Sequence, residues 1–354
     1  MNKIINTLKK EKIISLDKFI DIALYDRKFG YYMKKNPLGK NGDFITSPLV
    51  SKLFGEMIAI WCVLFWENLN KPNKILIVEL GPGDGTLCKD LLKNFKKFTN
   101  FYNCLEINLL EKSRLLTKIQ KKKINNSKVK WIKKIEDINI GPVIFIGNEF
   151  FDSLPIKQIY IKKKIFYEKF VTLSDNQKKI IFKYKKARKS LIKNIQNLNL
   201  VSSGNVIEYP LNAIKFINKV SKKIKKFGGG LLALDYGYTQ NKNKNTLQSV
   251  KKHKYSYILS NAGDSDITAH VNFNLMLNIF EKNNLEVEKI VTQSEFLQKI
   301  GIIERANILS KKTSFKQKAD MFYRIKKLLD LKEMGGLFKV LFAKKSGIKF
   351  SLGF

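Results

Sequence analysis

The sequence predicts an α/β protein with a mainly parallel central sheet, and three observations support this prediction. Short apolar runs that suit buried parallel strands recur along the chain, at 75–80, 142–147 and 228–237. Segments with the apolar spacing of helices separate these runs. Glycine-rich or polar turns follow the runs, at the place where an open parallel sheet has its ligand crevice. With 354 residues, the chain is long enough for one large domain with additions.

Residues 1–72 are expected to form an N-terminal helical cap. The segment from 16 to 24 has helical apolar spacing, and a loop between 36 and 48 carries Gly42 and Asp43. Loops that mix aromatic, glycine and acidic residues often line sites. These two residues are therefore candidates to close over a bound ligand, although a packed cap explains the same composition equally well.

A strand, a glycine turn and a helix come next, in the order of a nucleotide-binding βα unit. The strand at 75–80 bears one carboxylate, Glu79, and is followed by Gly81, Gly83 and Gly85. Glycines let the backbone pass close to a ligand, and the start of the helix offers unpaired N–H groups. The spacing Gly-x-Gly-x-Gly differs from the dinucleotide fingerprint Gly-x-Gly-x-x-Gly and provides no clear pyrophosphate cradle. An ordinary tight turn is the alternative interpretation.

The following strands also lead into polar side chains. A second strand closes on Glu111, where a carboxylate can accept hydrogen bonds from both hydroxyls of a ribose. Glu111 could equally be a charge at a helix N-terminus. The fourth strand, at 142–147, is followed directly by Asn148, Glu149 and Asp152. These polar groups are expected at the ligand crevice of the sheet.

Residues 73–354 are expected to form the main domain, with an insertion at about 157–204. Alternating apolar residues predict hairpin strands at the start of the insertion, and its lysine-rich remainder has no assignment. A fifth buried strand contains Asp235 near its end, and a substrate-side loop at about 241–273 carries His270. Apolar spacing predicts further helices at 275–282, 296–300 and 311–331, and a last strand at 339–343.

The formal net charge of +37 first suggests a nucleic-acid partner. However, the basic excess is almost entirely lysine, whereas arginine is favoured for bidentate phosphate and base contacts. No stripe of arginines and aromatic residues occurs. A solvated lysine coat is the expected explanation of the charge, and nucleic-acid binding is disfavoured.

Cysteine and histidine are scarce in this chain. Three cysteines without a C-x-x-C pair argue for a reducing compartment and against a disulfide framework or zinc site. The only histidines are His253 and His270, so no His-based metal cluster is expected. The basic N-terminus lacks the apolar core of a signal peptide, and the longest apolar run, 57–66, is about half a membrane span. These features predict a cytoplasmic protein without a membrane span.

Several motifs occur in a fixed order along almost the whole chain. They are Tyr25-Asp-x-x-x-Gly-Tyr-Tyr32, Gly42-Asp-Phe-Ile-Thr-Ser-Pro48, Phe54-Gly-Glu56, Glu79-Leu-Gly-Pro-Gly-x-Gly-Thr-Leu87, Asn148-Glu-Phe-Phe-Asp-x-Leu-Pro155, Asp235-Tyr-Gly237, Asp266-Ile-Thr-Ala-His-Val-x-Phe273, Gln293-x-x-Phe-Leu297 and Met334-Gly-Gly-Leu-Phe-Lys339. In this combination the chain resembles the MidA-type methyltransferases, whose mitochondrial members assist the assembly of respiratory complex I. The insertion from 157 to 200 matches none of these motifs.

The resemblance implies a Rossmann-like class I methyltransferase fold with an added substrate-side region. It also implies S-adenosylmethionine as the cofactor, with the glycine turn and Glu79 at its methionine end and Glu111 at its ribose. The cofactor-binding residues expected on this basis are Gly42, Asp43, Glu79, Gly81, Gly83, Gly85, Glu111 and Asn148.

Mitochondrial relatives are regarded as protein arginine methyltransferases that act on a complex I subunit, so the implied target is a protein arginine. Arginine is protonated at neutral pH, and two carboxylates could hold its guanidinium and localise lone-pair density on one nitrogen. Glu149 and Asp152 are the best placed, if a short helical turn puts them on one face, with Glu208 and Asp235 in reserve. His270 could relay a proton, although a lone histidine is more often a packed residue.

Two other functions stay open. A complex-assembly factor could bind the cofactor without turnover. An RNA methyltransferase is disfavoured, because Asn148-Glu-Phe-Phe lacks the Asn/Asp-Pro-Pro-aromatic run typical of base amino-group methylation.

Overall fold

The computed structural model describes most of the chain. The described residues are 2–37, 39, 42–43, 46–176, 179–201, 204–240, 245–251 and 253–354. Residues 44–45 of the Gly42–Pro48 motif, residues 177–178 and 202–203 of the predicted insertion, and residues 241–244 and 252 of the substrate-side loop lie outside them.

The N-terminal region is mainly helical. Its elements are α1 (Asn2–Glu11), β1 (Ile13–Ser15), α2 (Leu16–Tyr25), α3 (Tyr31–Lys34), α4 (Ser47–Val50) and α5 (Lys52–Asn68). Helix α5 is buried on nearly all sides, because it packs between the central sheet and the other helices that cover one face of this sheet. This burial explains the long apolar run at 57–66. Among the described residues, no helix is long and apolar enough to cross a membrane.

The first half of the main domain alternates strands and helices. Its elements are β2 (Ile75–Leu80), α6 (Thr86–Phe95), α7 (Thr99–Cys104), β3 (Leu105–Leu110), α8 (Arg114–Ile124), β4 (Val129–Ile132), a 3₁₀ turn (Ile135–Asp137) and β5 (Val143–Asn148). Every residue of β2 is buried. A strand buried on both faces reads as a continuous apolar run, which confirms the interpretation of 75–80.

The insertion is built as strands with one helix. It contains β6 (Lys157–Lys162), β7 (Ile165–Leu173), β8 (Ile180–Lys186) and α9 (Lys189–Asn197), and β9 (Val206–Tyr209) follows it. Strands β6 and β7 form the predicted antiparallel hairpin. The lysine-rich part that had no assignment is largely β8 and α9. Most side chains of β8 are exposed, so the strand lacks the apolar alternation that would have identified it.

The C-terminal half completes the sheet and its helical layers. Its elements are α10 (Leu211–Phe227), β10 (Gly229–Tyr238), β11 (Gln248–Lys251), β12 (Lys254–Ser256), β13 (Asp266–Thr268), β14 (Val271–Asn272), α11 (Phe273–Lys282), β15 (Leu285–Val287), β16 (Val291–Thr292), α12 (Gln293–Lys299), α13 (Ile302–Ser310), α14 (Phe315–Leu329), α15 (Met334–Leu337) and β17 (Phe338–Lys345). The prediction of one helix over 311–331 is wrong at its start. Ser314 caps a new helix, accepting a hydrogen bond from the backbone N–H of Gln317.

In the described residues the central sheet has the strand order β15-β17-β10-β5-β2-β3-β4. Strands β4, β3, β2, β5 and β10 are parallel, and β17 is antiparallel to both β10 and β15. The predicted mainly parallel sheet is therefore confirmed. Helices α5, α6, α12, α13 and α14 pack on one face, and α10 and α11 pack on the other. The carboxyl ends of β2, β3 and β5 meet at one edge.

A second sheet lies beside the central one, with β1-β7-β6-β9 as its order and β8 paired to β7. Strand β1 comes from the N-terminal region, and it pairs antiparallel with β7 of the insertion. Helices α1 and α2 share one apolar core with residues of this sheet and of the 259–269 segment. The N-terminal cap, the insertion and the substrate-side loop thus pack together on the side where the parallel strands end.

Candidate active site

A cavity of about 780 Å³ opens at the carboxyl ends of the parallel strands. The glycine turn after β2 and the carboxylates Glu79 and Glu111 line one part of it. Residues that directly follow β5 line another part, and Tyr25 and Tyr32 of the N-terminal region lie over it. The cavity therefore collects most of the residues that the sequence predicted for a site.

The glycine turn has the backbone geometry that its composition predicts. Gly81, Gly83 and Gly85 have φ angles of +61°, +54° and +80°, in the left-handed region that favours glycine. A Cβ on Gly81 would lie 3.0 Å from Cδ2 of Phe150. Gly81 and Gly83 line the cavity, whereas Gly85 is the N-cap residue of α6 and lies beside α8, outside the cavity lining.

Gly85→Ala is expected to destabilise the fold more than Gly347→Ala. Both glycines have positive φ angles, +80° and +88°, so both substitutions carry a left-handed strain of about 1–2 kcal/mol. Only at Gly85 would the new Cβ also meet neighbours, at 3.1 Å from Ile124 Cδ1 and 3.3 Å from Gln120 Cγ. Denaturant unfolding of the two variants measures the difference, and equal losses would contradict the close approach of α8.

A buried carboxylate, Glu79, and a partly buried one, Glu111, face the glycine turn. Glu79, only 4% exposed, leaves its Oε2 without a hydrogen-bond partner among the described residues. Burial, with the nearby charges of Asp84 and Glu111, raises the pKa of Glu79 to about 8. Glu111 accepts from the backbone N–H of Ser113 at 2.7 Å and from Gln120 Nε2 at 3.1 Å, and burial raises its pKa. Both carboxylates keep acceptor capacity toward the cavity.

The residues after β5 do not form the helical turn that was expected. Glu149 has a φ angle of +51°, which is uncommon for a residue other than glycine and costs of order 1–3 kcal/mol. Its Oε1 accepts from the backbone N–H of Ser47 at 3.2 Å and from Asn148 Nδ2 at 3.1 Å. The Oδ1 of Asn148 has no hydrogen-bond partner among the described residues. The turn aims Asn148, Glu149 and Asp152 into the cavity without helical periodicity.

Four carboxylates come together in this part of the molecule: Glu149, Asp152, Asp235 and Asp266. Burial, followed by the charge of Asp152, raises the pKa of Glu149 to about 8. Burial, followed by the charges of Asp235 and Asp266, raises the pKa of Asp152. Burial also raises the pKa of Asp235, with Glu149 as the next cause. We call these four side chains the acid cluster, because each of them lies within the electrostatic reach of another.

Hydrogen bonds hold Asp235 and Asp266 in place within the acid cluster. Neither was a first candidate for the site in the sequence. The Oδ2 of Asp235 accepts from the backbone N–H groups of Phe151 at 2.8 Å and Asp152 at 3.3 Å, which fixes the turn after β5. Asp266 accepts from the hydroxyl of Tyr32 at 2.8 Å, and burial raises the pKa of Asp266 to about 6. In the sequence, Asp266 stands out only as the first residue of the Asp266–Phe273 motif, and no spacing rule links it to β5.

The other predicted residues take different places. His270 lines the cavity, and its backbone N–H donates to Thr246 Oγ1 at 2.9 Å. Asp43 is buried against the N-terminal helices, accepting from the Tyr31 hydroxyl at 2.6 Å and pairing with Lys35. Neither Gly42 nor Asp43 is among the described residues that line the cavity. Their role in closing over a cofactor stays a prediction.

Glu208, a reserve candidate, lies away from the acid cluster. Its carboxylate accepts from Gln158, from the hydroxyl of Thr246 and from the backbone N–H groups of Thr246 and Leu247. It does not line the main cavity. In the described part of the chain, no group of three or more His, Cys, Asp or Glu side chains could hold a metal ion.

The residues present fit S-adenosylmethionine. The free oxygen of Glu79 and the Glu111 carboxylate supply acceptors for an ammonium group and for hydroxyls. The positive φ angles of Gly81 and Gly83 keep the turn beside them free of side chains. The strand order of the central sheet, together with the glycine turn after β2 and the Glu111 carboxylate after β3, defines a class I S-adenosylmethionine-dependent methyltransferase.

Comparison with known proteins leads to the same class. A family model described as "Putative S-adenosyl-L-methionine-dependent methyltransferase" matches residues 57–291. The chain belongs to this family, which is the MidA-type family that its motifs resemble, and S-adenosylmethionine is its cofactor.

Relatives and solved structures agree with this membership. The chain is 30% identical to the Xenopus tropicalis protein arginine methyltransferase NDUFAF7, mitochondrial, over 96% of this chain and 84% of that protein. The Homo sapiens protein of the same name is 28% identical over 94% and 80%. A Burkholderia thailandensis protein crystallised with S-adenosyl-homocysteine has the same fold, with a TM-score of 0.86, 21% identity, and coverage of 99% and 93%.

Proposed function

We propose that this protein transfers a methyl group to an arginine side chain of a protein substrate. The observation that carries the proposal is the acid cluster, a group of two buried carboxylates, Asp235 and Asp266, and two partly buried ones, Glu149 and Asp152, in a chain whose net charge is +37. Carboxylates crowded together in a buried site raise one another's pKa values, an unfavourable arrangement that a cation relieves. A guanidinium is planar, permanently charged and suited to several carboxylates at once. Relatives named as protein arginine methyltransferases support the same target.

The cofactor supplies an electrophilic methyl group, so the chain has to position a nitrogen and accept a proton. Asp152, Asp266 and Glu149 can hold the guanidinium in one orientation, while Asp235 fixes the turn that carries two of them. When the nitrogen gains the methyl group it must lose one proton, because the product is again a singly charged guanidinium. Glu149, whose pKa is raised to about 8, is a suitable acceptor for that proton. His270 lines the same cavity and could carry the proton away.

The test is transfer of radiolabelled methyl from S-adenosylmethionine into proteins of cells that lack this gene. Acid hydrolysis and mass spectrometry should find the label in methylated arginine. Label in RNA, with none in protein, would overturn the proposal in favour of an RNA methyltransferase. Cofactor binding without any transfer would favour a non-catalytic assembly factor.

The lysine excess is expected to act as a solvated coat. Binding of a random-sequence RNA or DNA of about 30 nucleotides should therefore be weak and should fall steeply between 50 and 200 mM salt. Fluorescence anisotropy at several salt concentrations measures this. Tight, sequence-selective binding at physiological ionic strength would contradict it.

The proposed arginine methylation also bears on which protein is methylated and in which compartment this protein acts. The mitochondrial members of the MidA-type family that the motifs resemble assist complex I assembly, and this resemblance supports a respiratory complex I subunit as the methylated protein. The free thiols of Cys62, Cys88 and Cys104 support a reducing, cytoplasmic location, whereas the relatives are named as mitochondrial. Quantitative mass spectrometry of arginine methylation in purified complex I, with and without this gene, tests the partner.

A further inference from the structure

A small antiparallel sheet forms one wall of the cavity. Its order is β12-β11-β13, and each strand contributes a lining side chain: Tyr255 from β12, Gln248 from β11 and Thr268 from β13. Gln248 pairs with Thr268 across the sheet, while Val250 pairs with both Asp266 and Tyr255. Because side chains alternate between faces along a strand, all five of these residues share one face of the sheet.

This face leads from the acid cluster to the solvent. Asp266, at its inner end, is 4% exposed, whereas Tyr255, at its outer end, is 81% exposed. Leu337 also lines the cavity, contributed by α15, and is 49% exposed. Tyr255 and Leu337 therefore offer an aromatic and an aliphatic contact on the cavity lining to a partner that binds there.

In the described part of the chain, strand β12 also lies at an open edge of this sheet, because it pairs with β11 alone. An edge strand presents backbone N–H and C=O groups that have no partner, and an extended peptide can add to it as a further strand. The open edge and the exposed Tyr255 ring therefore occur on the same three-residue strand.

We infer that the arginine-bearing segment of the protein substrate docks as an extended strand on β12. Its backbone pairs with the open edge, Tyr255 and Leu337 cover its flanks, and its arginine reaches along the shared face toward Asp266. The inference rests on the proposed arginine methylation and adds the form in which the substrate binds. It predicts that an extended or locally unfolded segment is methylated, because a helix has no free backbone groups to pair with an edge strand.

The first test compares Tyr255→Ala, Tyr255→Phe and the control Tyr323→Ala, a tyrosine that is 58% exposed on α14. The probe is the protein extract of cells lacking this gene, labelled with radioactive S-adenosylmethionine. Tyr255→Ala should lower the labelling rate about tenfold, because the truncation removes a large aromatic contact with the docked segment. Tyr255→Phe, which keeps the aromatic ring, should lose less than Tyr255→Ala, Tyr323→Ala should keep the rate, and all variants should bind S-adenosylhomocysteine equally. Unchanged labelling by Tyr255→Ala would overturn the inference.

The second test uses the segment that becomes labelled. Capped peptides of 13 residues centred on the labelled arginine are made with proline at each successive position. Proline lacks an N–H and cannot pair on an edge strand, so KM should rise at alternate positions near the arginine. A loss without this period of two would overturn the inference while leaving arginine methylation intact. Wild-type enzyme that labels no arginine in the extract would instead overturn the proposed function and this docking mode with it.

Discussion

Glu149→Gln and Asp152→Asn are each expected to lower methyl transfer about a hundredfold, with unchanged affinity for S-adenosylhomocysteine. Both side chains line the cavity in the acid cluster, where they would orient the guanidinium. A misplacement of the nucleophile by about 1 Å can cost this factor. Initial rates with labelled cofactor and calorimetric titration of S-adenosylhomocysteine measure the two quantities.

The control for this prediction is Asp320→Asn, an exposed acid on α14 that pairs with Arg324. It removes a carboxylate from the surface and should leave both quantities unchanged. Each variant also needs an unfolding curve, since Glu149 bonds to Ser47 and thereby holds α4 to the site. Full activity in a folded Glu149→Gln or Asp152→Asn variant would remove that residue from the mechanism.

The raised pKa of Glu149 also gives the reaction an expected pH dependence. Because burial raises this pKa to about 8, the acceptor carboxylate forms as the pH rises through that value. The kcat/KM of the wild type should therefore increase from pH 6.5 toward pH 8.5 and then level off. Glu149→Gln should lose this increase. A wild-type profile that falls with rising pH over the same range would contradict the role of Glu149 as proton acceptor.

The central sheet was predictable because its signal is local. Strands β2, β5 and β10 are buried on both faces, so each is a short, continuous apolar run that glycine or polar turns delimit. The predictions were weaker where an element is half solvated. Strand β8 is lysine-rich and mostly exposed, and its place in the second sheet depends on pairing with β7. Pairing between distant segments leaves no periodic trace in one sequence.

The site was predictable only in part for the same reason. Residues at or directly after the end of a strand, such as Asn148 and Glu111, could be assigned to the ligand crevice from the strand alone. Asp266 reaches the cavity because β13 pairs with β11 and because Tyr32, over two hundred residues earlier, donates a hydrogen bond to it. The helical turn expected at Glu149 fails because the backbone there takes a left-handed φ angle. Spacing arguments assume regular structure, and active-site turns often lack it.

Gly83→Val is expected to weaken cofactor binding by at least ~2 kcal/mol, roughly thirtyfold. Gly83 is the middle glycine of the turn and lines the cavity. Its φ angle is +54°, and its backbone carbonyl accepts a hydrogen bond from Gln120 Nε2 at 2.7 Å. A β-branched residue is a genuine outlier at such a φ angle. The variant must therefore either shift the turn or place a branched side chain beside the methionine end of the cofactor.

The matched control is Gly347→Val, because Gly347 has a φ angle of +88° with no atom within 4 Å of a new Cβ and lies outside the cavity lining. It carries the same type of backbone strain and should bind the cofactor as the wild type does. Calorimetric titration of both variants with S-adenosylhomocysteine, after circular dichroism has shown that they are folded, separates strain from a direct effect on the site. If folded Gly83→Val bound with wild-type affinity, the glycine turn would not contact the cofactor, and Glu79 would lose its assignment to the methionine end.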